Sequence, residues 1–188
     1  QKDPKAQTYL QPGYPVTDDS PAASLSWDDV NAYCEWLSTQ EKKTVRLPTE
    51  AEWEYACRAG TTTQYSFGDD ENELPKYAWF NKNSSGTSHP VAALSPNPFG
   101  LFDMHGQLFE WCSDWFDESY YGKSASPDPT GPSTGTERVL RGGRWGTGPV
   151  DCRSMFRHCL TPQSRYNGNG FRIVQELDAI PVTTSAAW

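Results

Sequence analysis

Five cysteines are the residues of this sequence with the widest chemical repertoire, and their spacing limits what they can do. They are Cys34, Cys57, Cys112, Cys152 and Cys159. No two of them form a Cys-x-x-Cys pair, so the spacing does not predict a zinc site. Their odd number allows at most two internal disulfides. One or two disulfides, or buried thiols that act as small hydrophobic side chains, are the alternatives that stay open.

Histidine, a common metal ligand and general base, occurs at His89, His105 and His158. The three lie in separate segments and form no His-x-x-x-His pattern, so no facial triad of iron ligands is predicted. One Gly-x-Ser-x-Gly match occurs, at residues 131–135, but it lies in a loop rich in Pro, Gly, Ser and Thr and not between a strand and a helix, so it does not predict a nucleophile elbow. A Ser-His-Asp triad stays open, because its members can come from distant segments.

Composition bounds the class of protein. The 188 residues are enough for one domain with its own core. The formal net charge of -8 leaves no basic surface for phosphates, so nucleic acid is not an expected partner. The aromatic content of 13%, with 8 Trp, favours a loop-rich domain whose core is built from rings. No apolar run of about 18 residues occurs, so no membrane span is expected.

Two capping boxes predict the helices that must position these residues. Ser26 and Asp29 begin the first helix, and apolar residues follow at helical spacing. Thr49 and Glu52 begin the second, after Pro48 has ended an extended segment. Shorter strands with ring or glycine interruptions are expected at residues 109–115, 139–145 and 170–174.

The chain divides into three parts on this pattern. We expect an extended arm at 1–22, one domain over 23–175 and a tail over 176–188. The chain begins with Gln1 and not with Met, which indicates a mature or trimmed chain. An accessory domain of a larger polypeptide is therefore one interpretation.

Six segments, in this order, resemble the formylglycine-generating enzymes, also called sulfatase-modifying factors. They are residues 26–29, 46–55, 97–106, 110–111, 138–143 and 170–172. The similarity covers roughly residues 15–174. It implies an α+β fold related to the C-type lectins, with two helices, short twisted sheets and much irregular backbone.

The resemblance implies a structural calcium site. Asp103 and Glu110 match positions that supply carboxylates, and Gly106 and Leu108 match positions that supply backbone carbonyls. Oxygen ligands of this kind suit Ca²⁺. A second calcium site of some relatives is not expected, because Trp79 stands where an Asn ligand would be.

The resemblance also bears on catalysis. The active enzymes oxidise a cysteine of a client sulfatase with copper and oxygen, and they need two cysteines shortly after the Gly-Gly that matches residues 142–143. In an alignment without gaps, Thr147 stands at the first cysteine position and Cys152 at the second. Arg144 and Phe109 also depart from the family's groove. The loss of one thiolate argues against copper, which is not an expected cofactor.

An alternative keeps the chemistry. Cys152 and Cys159 are then the candidate catalytic thiols, and they would have to meet in space to bind copper in a new geometry. The protein would be a formylglycine-generating oxidoreductase.

The leading hypothesis is a calcium-stabilised, divergent family member that binds a protein, peptide or glycan. The candidate ligand-binding residues lie in the C-terminal loops and are Arg144, Trp145, Thr147, His158, Tyr166 and Asn167. Rings, an arginine and adaptable polar groups make a suitable recognition surface. The same segment is varied in lectin-like targets of diversity-generating retroelements, which this mixed set resembles. An extracytoplasmic location, periplasmic or secreted, is the expectation.

Overall fold

The structure, a computed structural model, describes residues 8–123 and 127–177. Helix α1 (Trp27–Glu41) begins at the predicted capping box. The amide of Asp29 donates to the Ser26 hydroxyl at 3.2 Å, and the amide of Ser26 donates to the Asp29 carboxylate at 2.9 Å. Lys42, with a left-handed φ of 54°, ends the helix.

Helix α2 (Glu50–Arg58) repeats the same device. The amide of Glu52 donates to the Thr49 hydroxyl at 3.1 Å, and the amide of Thr49 donates to the Glu52 carboxylate at 2.8 Å. Both predicted helices are therefore present. A short helix, α3 (Tyr120–Lys123), was not predicted, and it buries no side chain. No helix in the described ranges is long and apolar enough to cross a membrane.

Two small sheets complete the α+β fold. The larger has the order β4-β3-β2-β5 and the smaller pairs β1 with β6. The strands are β1 (Val45–Arg46), β2 (Phe109–Trp115), β3 (Arg138–Arg141), β4 (His158–Leu160), β5 (Asn169–Gly170) and β6 (Val174–Gln175). β2 runs antiparallel to β3 and parallel to β5.

Two strand predictions were too long. The strand expected at 139–145 ends at Arg141, because Gly142 and Gly143 adopt left-handed φ values of 95° and 77° that leave the strand. The segment expected as one strand at 170–174 contributes to β5 and then to β6, which belong to different sheets. The glycine pair thus turns the chain out of the sheet and into the candidate ligand loops.

The interior holds both apolar clusters and paired charges. Helix α1 packs on the larger sheet through Val30, Trp111 and Leu140, all fully buried. All five cysteines are free thiols, so the buried-thiol alternative describes this structure better than a disulfide does.

A buried ion-pair network joins α2 to the larger sheet. Arg157 binds both carboxylate oxygens of Glu50, at 2.6 and 2.7 Å, and Glu50 is only 1% exposed. Arg141, fully buried, lies 3.6 Å from Glu50 and binds Glu54. The amide of Glu50 donates to Asp114 at 2.7 Å. Removal of one partner would leave charges in the interior without compensation.

Candidate functional site

The loop that leaves β3 forms a closed turn at Arg144. The hydroxyl of Thr147 accepts from the amide of Arg144 and donates to its carbonyl, each at 3.0 Å. The carbonyl of Thr147 in turn accepts from the amide of Asn81 at 3.0 Å. Thr147 therefore shapes the turn, and its side chain is used within it.

The indole of Trp145 connects this turn to two other segments. Its Nε1 points to the carbonyl of Asn167 at 3.4 Å, and the hydroxyl of Tyr14 donates to the same carbonyl at 2.8 Å. The rings of Tyr14 and Trp145 meet edge to face at 6.1 Å. The structure thus places Trp145 and Asn167, two of the candidate ligand-binding residues, in contact, and it adds Tyr14.

Sequence reasoning missed Tyr14 because it lies in the arm predicted at 1–22. The available signal was one of two tyrosines, Tyr9 and Tyr14, in a segment rich in Pro and Asp. Its partner Asn167 is 153 residues away, so no local pattern reveals the contact.

The guanidinium of Arg144 lies over the Trp145 ring, 5.1 Å from the ring centroid. It also lies against the backbone of Gly146 and Gly168. A Cβ at Gly168 would collide with the Arg144 side chain, and one at Gly146 would lie 3.3 Å from its Nη1. The two glycines therefore leave the space that the guanidinium occupies.

His158 and Tyr166 are the remaining candidate ligand-binding residues. The imidazole of His158 stacks on Phe109 with centroids 4.8 Å apart. Burial lowers its pKa, the positive charge of Arg144 lowers it further, and Asp151 opposes the change. Tyr166 is 55% exposed and free to contact a ligand.

We use the name loop surface for Tyr14, Arg144, Trp145, His158, Tyr166 and Asn167.

The two candidate catalytic thiols have different surroundings. Cys152 is fully buried in a cluster with Tyr65 and Phe80. Burial raises the pKa of its thiol to about 12, and the charge of Asp151 adds to the increase. Cys159 lies on β4, where burial and Glu137 raise the pKa of its thiol to about 11. Neither environment favours the thiolate that copper chemistry needs.

A buried cluster that sequence reasoning did not find surrounds His105. Its Nδ1 lies 2.8 Å from the carbonyl of Cys152, and its Nε2 accepts from the amide of Ser66 at 3.1 Å. This pattern places the proton on Nδ1, and burial lowers the pKa of His105 to about 4. The thiol of Cys57 lies 3.9 Å from the ring nitrogens. The imidazole is neutral and serves as a structural connector.

Of the residues predicted to bind calcium, Glu110 already has partners. Arg172 donates to both of its oxygens, at 2.5 and 2.7 Å, and the indole of Trp53 donates to one of them at 2.6 Å. Within residues 8–123 and 127–177, no three His, Cys, Asp or Glu side chains cluster as a metal site. A calcium ion here would therefore depend on backbone carbonyls and would share Glu110 with Arg172.

Two of the other predicted calcium residues, Asp103 and Leu108, lie beside Glu110. Asp103, Leu108 and Glu110 line one cavity of about 330 Å³. Burial raises the pKa of Asp103, and the nearby Glu110 adds to the increase. Gly106 has a φ of 86°, and a Cβ there would collide with the carbonyl of Trp79. Asp103 and Glu110 supply two carboxylates to this cavity, which are ligands that a hard cation takes, although Arg172 already binds both oxygens of Glu110.

Comparisons with known proteins agree with this architecture. Residues 2–177 match the family model of the sulfatase-modifying factor enzyme 1-like domain. A formylglycine-generating enzyme from Streptomyces coelicolor is 38% identical over 173 residues, which cover 84% of this chain and 53% of that protein. Treponema denticola variable protein 1 is a solved structure with a TM-score of 0.82 and 30% identity, covering 89% of this chain and 76% of that one.

The fold and these similarities define an α+β domain of the formylglycine-generating-enzyme type. The chain belongs to the sulfatase-modifying-factor family, which confirms the resemblance carried by the six segments.

Some relatives carry this domain within a larger protein. The serine/threonine-protein kinase pkn1 of Chlamydia pneumoniae is 35% identical over 172 residues, which are 90% of this chain and 26% of the kinase. The chain thus spans about half of one curated relative and a quarter of another.

Proposed function

We propose that this chain is a divergent family member that binds a protein, peptide or glycan through the loop surface and does not oxidise cysteine. The contact of Tyr14, Trp145 and Asn167, which joins three distant segments into one surface, is the observation that carries the proposal. A surface of rings and polar groups on ordered backbone can bind without large ordering costs.

The thiols support the non-catalytic part of this proposal. Cys152 is enclosed by apolar side chains, Cys159 contacts Glu137 just before β3, and Thr147 uses its hydroxyl in the turn. The relatives named formylglycine-generating enzyme keep oxidation as the competing function at the level of the family.

The similarity to a protein named variable protein 1 supports a further part of the proposal, in which the loops are diversified by a retroelement. Calcium belongs to the proposal as well. Asp103 and Glu110, with the carbonyls of Gly106 and Leu108, would hold the ion and would tie the loop to the start of β2.

A copper titration separates the two functions. Reduced protein is titrated with Cu(I) and followed by thiolate-to-copper absorption, with Cys152→Ser and Cys159→Ser as comparison variants. We expect no stoichiometric binding that depends on both thiols. Tight binding that both variants lose, together with oxidation of a cysteine-bearing sulfatase peptide, would establish the oxidase instead.

The binding function needs a test of its own. A displayed random-peptide library and a glycan array are probed with the unchanged protein and with the Trp145→Ala/Tyr166→Ala variant. Tyr55→Ala is the matched control, because Tyr55 is a 69% exposed ring on α2. We expect ligands that the double variant loses and the control keeps. If no ligand distinguishes the two variants, the loop surface is not a binding site.

A further inference from the structure

Arg144 differs from the other arginines that the structure describes. Six of them form ion pairs with carboxylates: Arg46, Arg58, Arg141, Arg157, Arg165 and Arg172. Arg138 lies between the rings of Trp27 and Trp115, and Arg153 borders the hydroxyl of Tyr65. Among the described residues, no carboxylate and no hydrogen-bond acceptor pairs with the guanidinium of Arg144.

This unpaired guanidinium is nevertheless held in place. Its Nη1 would lie 3.1 Å from a Cβ at Gly168 and 3.3 Å from one at Gly146, so both glycines border it closely. The Trp145 ring lies beneath it. A cation that is already positioned loses little conformational entropy when an anion arrives. The guanidinium of Arg144 is therefore a positioned cation to which an anion can bind.

This inference rests on the proposed function: we propose that Arg144 binds a carboxylate side chain of an acidic peptide. A guanidinium presents two parallel N–H groups that match the two oxygens of a carboxylate. His158 lies within electrostatic reach of Arg144.

The surroundings favour a singly charged group. Asp151 acts electrostatically on His158 and so lies near the site. The chain as a whole carries a formal charge of -8. One unpaired guanidinium can neutralise a carboxylate, whereas a dianionic phosphate would leave a negative charge close to Asp151.

The surroundings also favour a peptide over an acidic sugar. Sugar rings stack on open aromatic faces. The aromatic ring next to Arg144 is that of Trp145. The guanidinium covers one face of this ring, and the rings of Tyr14 and Trp145 meet edge to face. A carboxylate on a flexible side chain can reach Arg144 without such a stacking face.

The test uses two peptide libraries that differ at one position. One carries a central Glu between random residues and the other carries Gln, which has the same shape without the charge. We expect the unchanged protein to enrich the Glu library about tenfold over the Gln library, the ratio that a charge-assisted pair supports.

Two variants remove the effect in different ways. Arg144→Gln deletes the cation. Gly168→Ala keeps the cation but displaces it, because the new Cβ would lie only 2.4 Å from Arg144 Cδ. Both are expected to bring the ratio to about one. Lys43→Gln, an exposed charge beyond α1, is the matched control and is expected to keep the preference.

Each outcome decides a separate point. Equal enrichment of both libraries, with no effect of Arg144→Gln, would overturn the carboxylate inference and leave the proposed binding function intact. Binding of an oligogalacturonate that Arg144→Gln abolishes, with no enriched peptide, would overturn the peptide source. No binding to either library or to the sugar would overturn the inference and the peptide or glycan function together.

Discussion

Arg172 and Arg144 show two uses of the same side chain. Arg172 binds both oxygens of Glu110 and also donates to the carbonyl of Phe102, so it joins β2 to the last segment of the fold. Arg144 lies in the loop surface between two glycines and has no carboxylate among the described residues. The comparison teaches that six arginines of the fold are paired with carboxylates, whereas Arg144 in the loop surface keeps its charge available.

The largest effect on stability is expected from breaking the buried ion-pair network of Glu50, Arg141 and Arg157. Glu50→Gln leaves Arg157 and Arg141 without their buried carboxylate. We expect the free energy of unfolding to fall by about 3–5 kcal/mol, measured by urea denaturation at pH 7. Glu176→Gln is the control, because it removes an exposed partner of Arg46, and its effect should stay below about 1 kcal/mol. Equal effects of the two variants would show that the buried network has no special role.

The buried imidazole of His105 should make the free energy of unfolding depend on pH. Its folded-state pKa of about 4 lies below the ordinary 6.5, so the unfolded chain binds a proton first as the pH falls. The stability linked to this group is present above pH 6.5 and is lost as the pH falls toward 4. The Asp114 carboxyl, whose pKa burial raises to about 6, acts in the opposite direction over this interval, so the His105 contribution is read as a difference from a variant without the imidazole. We expect that contribution to fall by about 2 kcal/mol between pH 7 and pH 5, measured by urea denaturation.

The variant His105→Gln isolates this contribution, since glutamine does not titrate. Its free energy of unfolding should be lower at pH 7, and it should lose about 2 kcal/mol less than the unchanged protein between pH 7 and pH 5. An undiminished pH dependence in this variant would assign the acid sensitivity to other groups.

Calcium binding at Asp103 and Glu110 should raise the free energy of unfolding. At about ten times its Kd, the ion would raise the free energy of unfolding by about 1.4 kcal/mol. The measurement is the thermal midpoint with calcium and with a chelator. Asp103→Ala should abolish the difference, while Glu35→Ala, which removes an exposed carboxylate on α1, should preserve it. A shift that survives Asp103→Ala would place the ion elsewhere.

The smallest effect is expected at Arg144. Since no ion pair is lost, Arg144→Gln should change the free energy of unfolding by less than about 0.5 kcal/mol. Arg172→Gln should cost clearly more, because it leaves Glu110 without its cation. Parallel urea titrations compare the two variants. Similar losses of stability would mean that Arg144 belongs to the framework after all.

Local signals predicted the helices and the family well. The capping boxes at Ser26 and Thr49 act within one helical turn, so the sequence contains all that they require. Glu50 and Arg157 lie 107 residues apart, and nothing in either neighbourhood specifies the other. Tyr14 was assigned to an arm for the same reason.

The ends of the strands depended on backbone conformation and not on pattern. The apolar sequence around Val139 predicted a strand through Trp145, but the left-handed pair Gly142 and Gly143 ends it. The candidate loop residues were predicted by resemblance, and their mutual contacts were not. Whether Arg144 has a partner can be judged only from the three-dimensional environment, because an unpaired charge leaves no mark in sequence.

The glycine pair after β3 has a consequence for protein engineering. A Cβ at Gly142 would lie 3.1 Å from the Trp53 ring, and one at Gly143 would lie 2.9 Å from the sulfur of Cys152. These two positions therefore tolerate few substitutions. In the turn that follows, Arg144 and Trp145 form no ion pair with the described part of the chain. A display library built on this domain would keep the glycines constant and randomise positions 144, 145 and 166, obtaining many binding specificities from one scaffold.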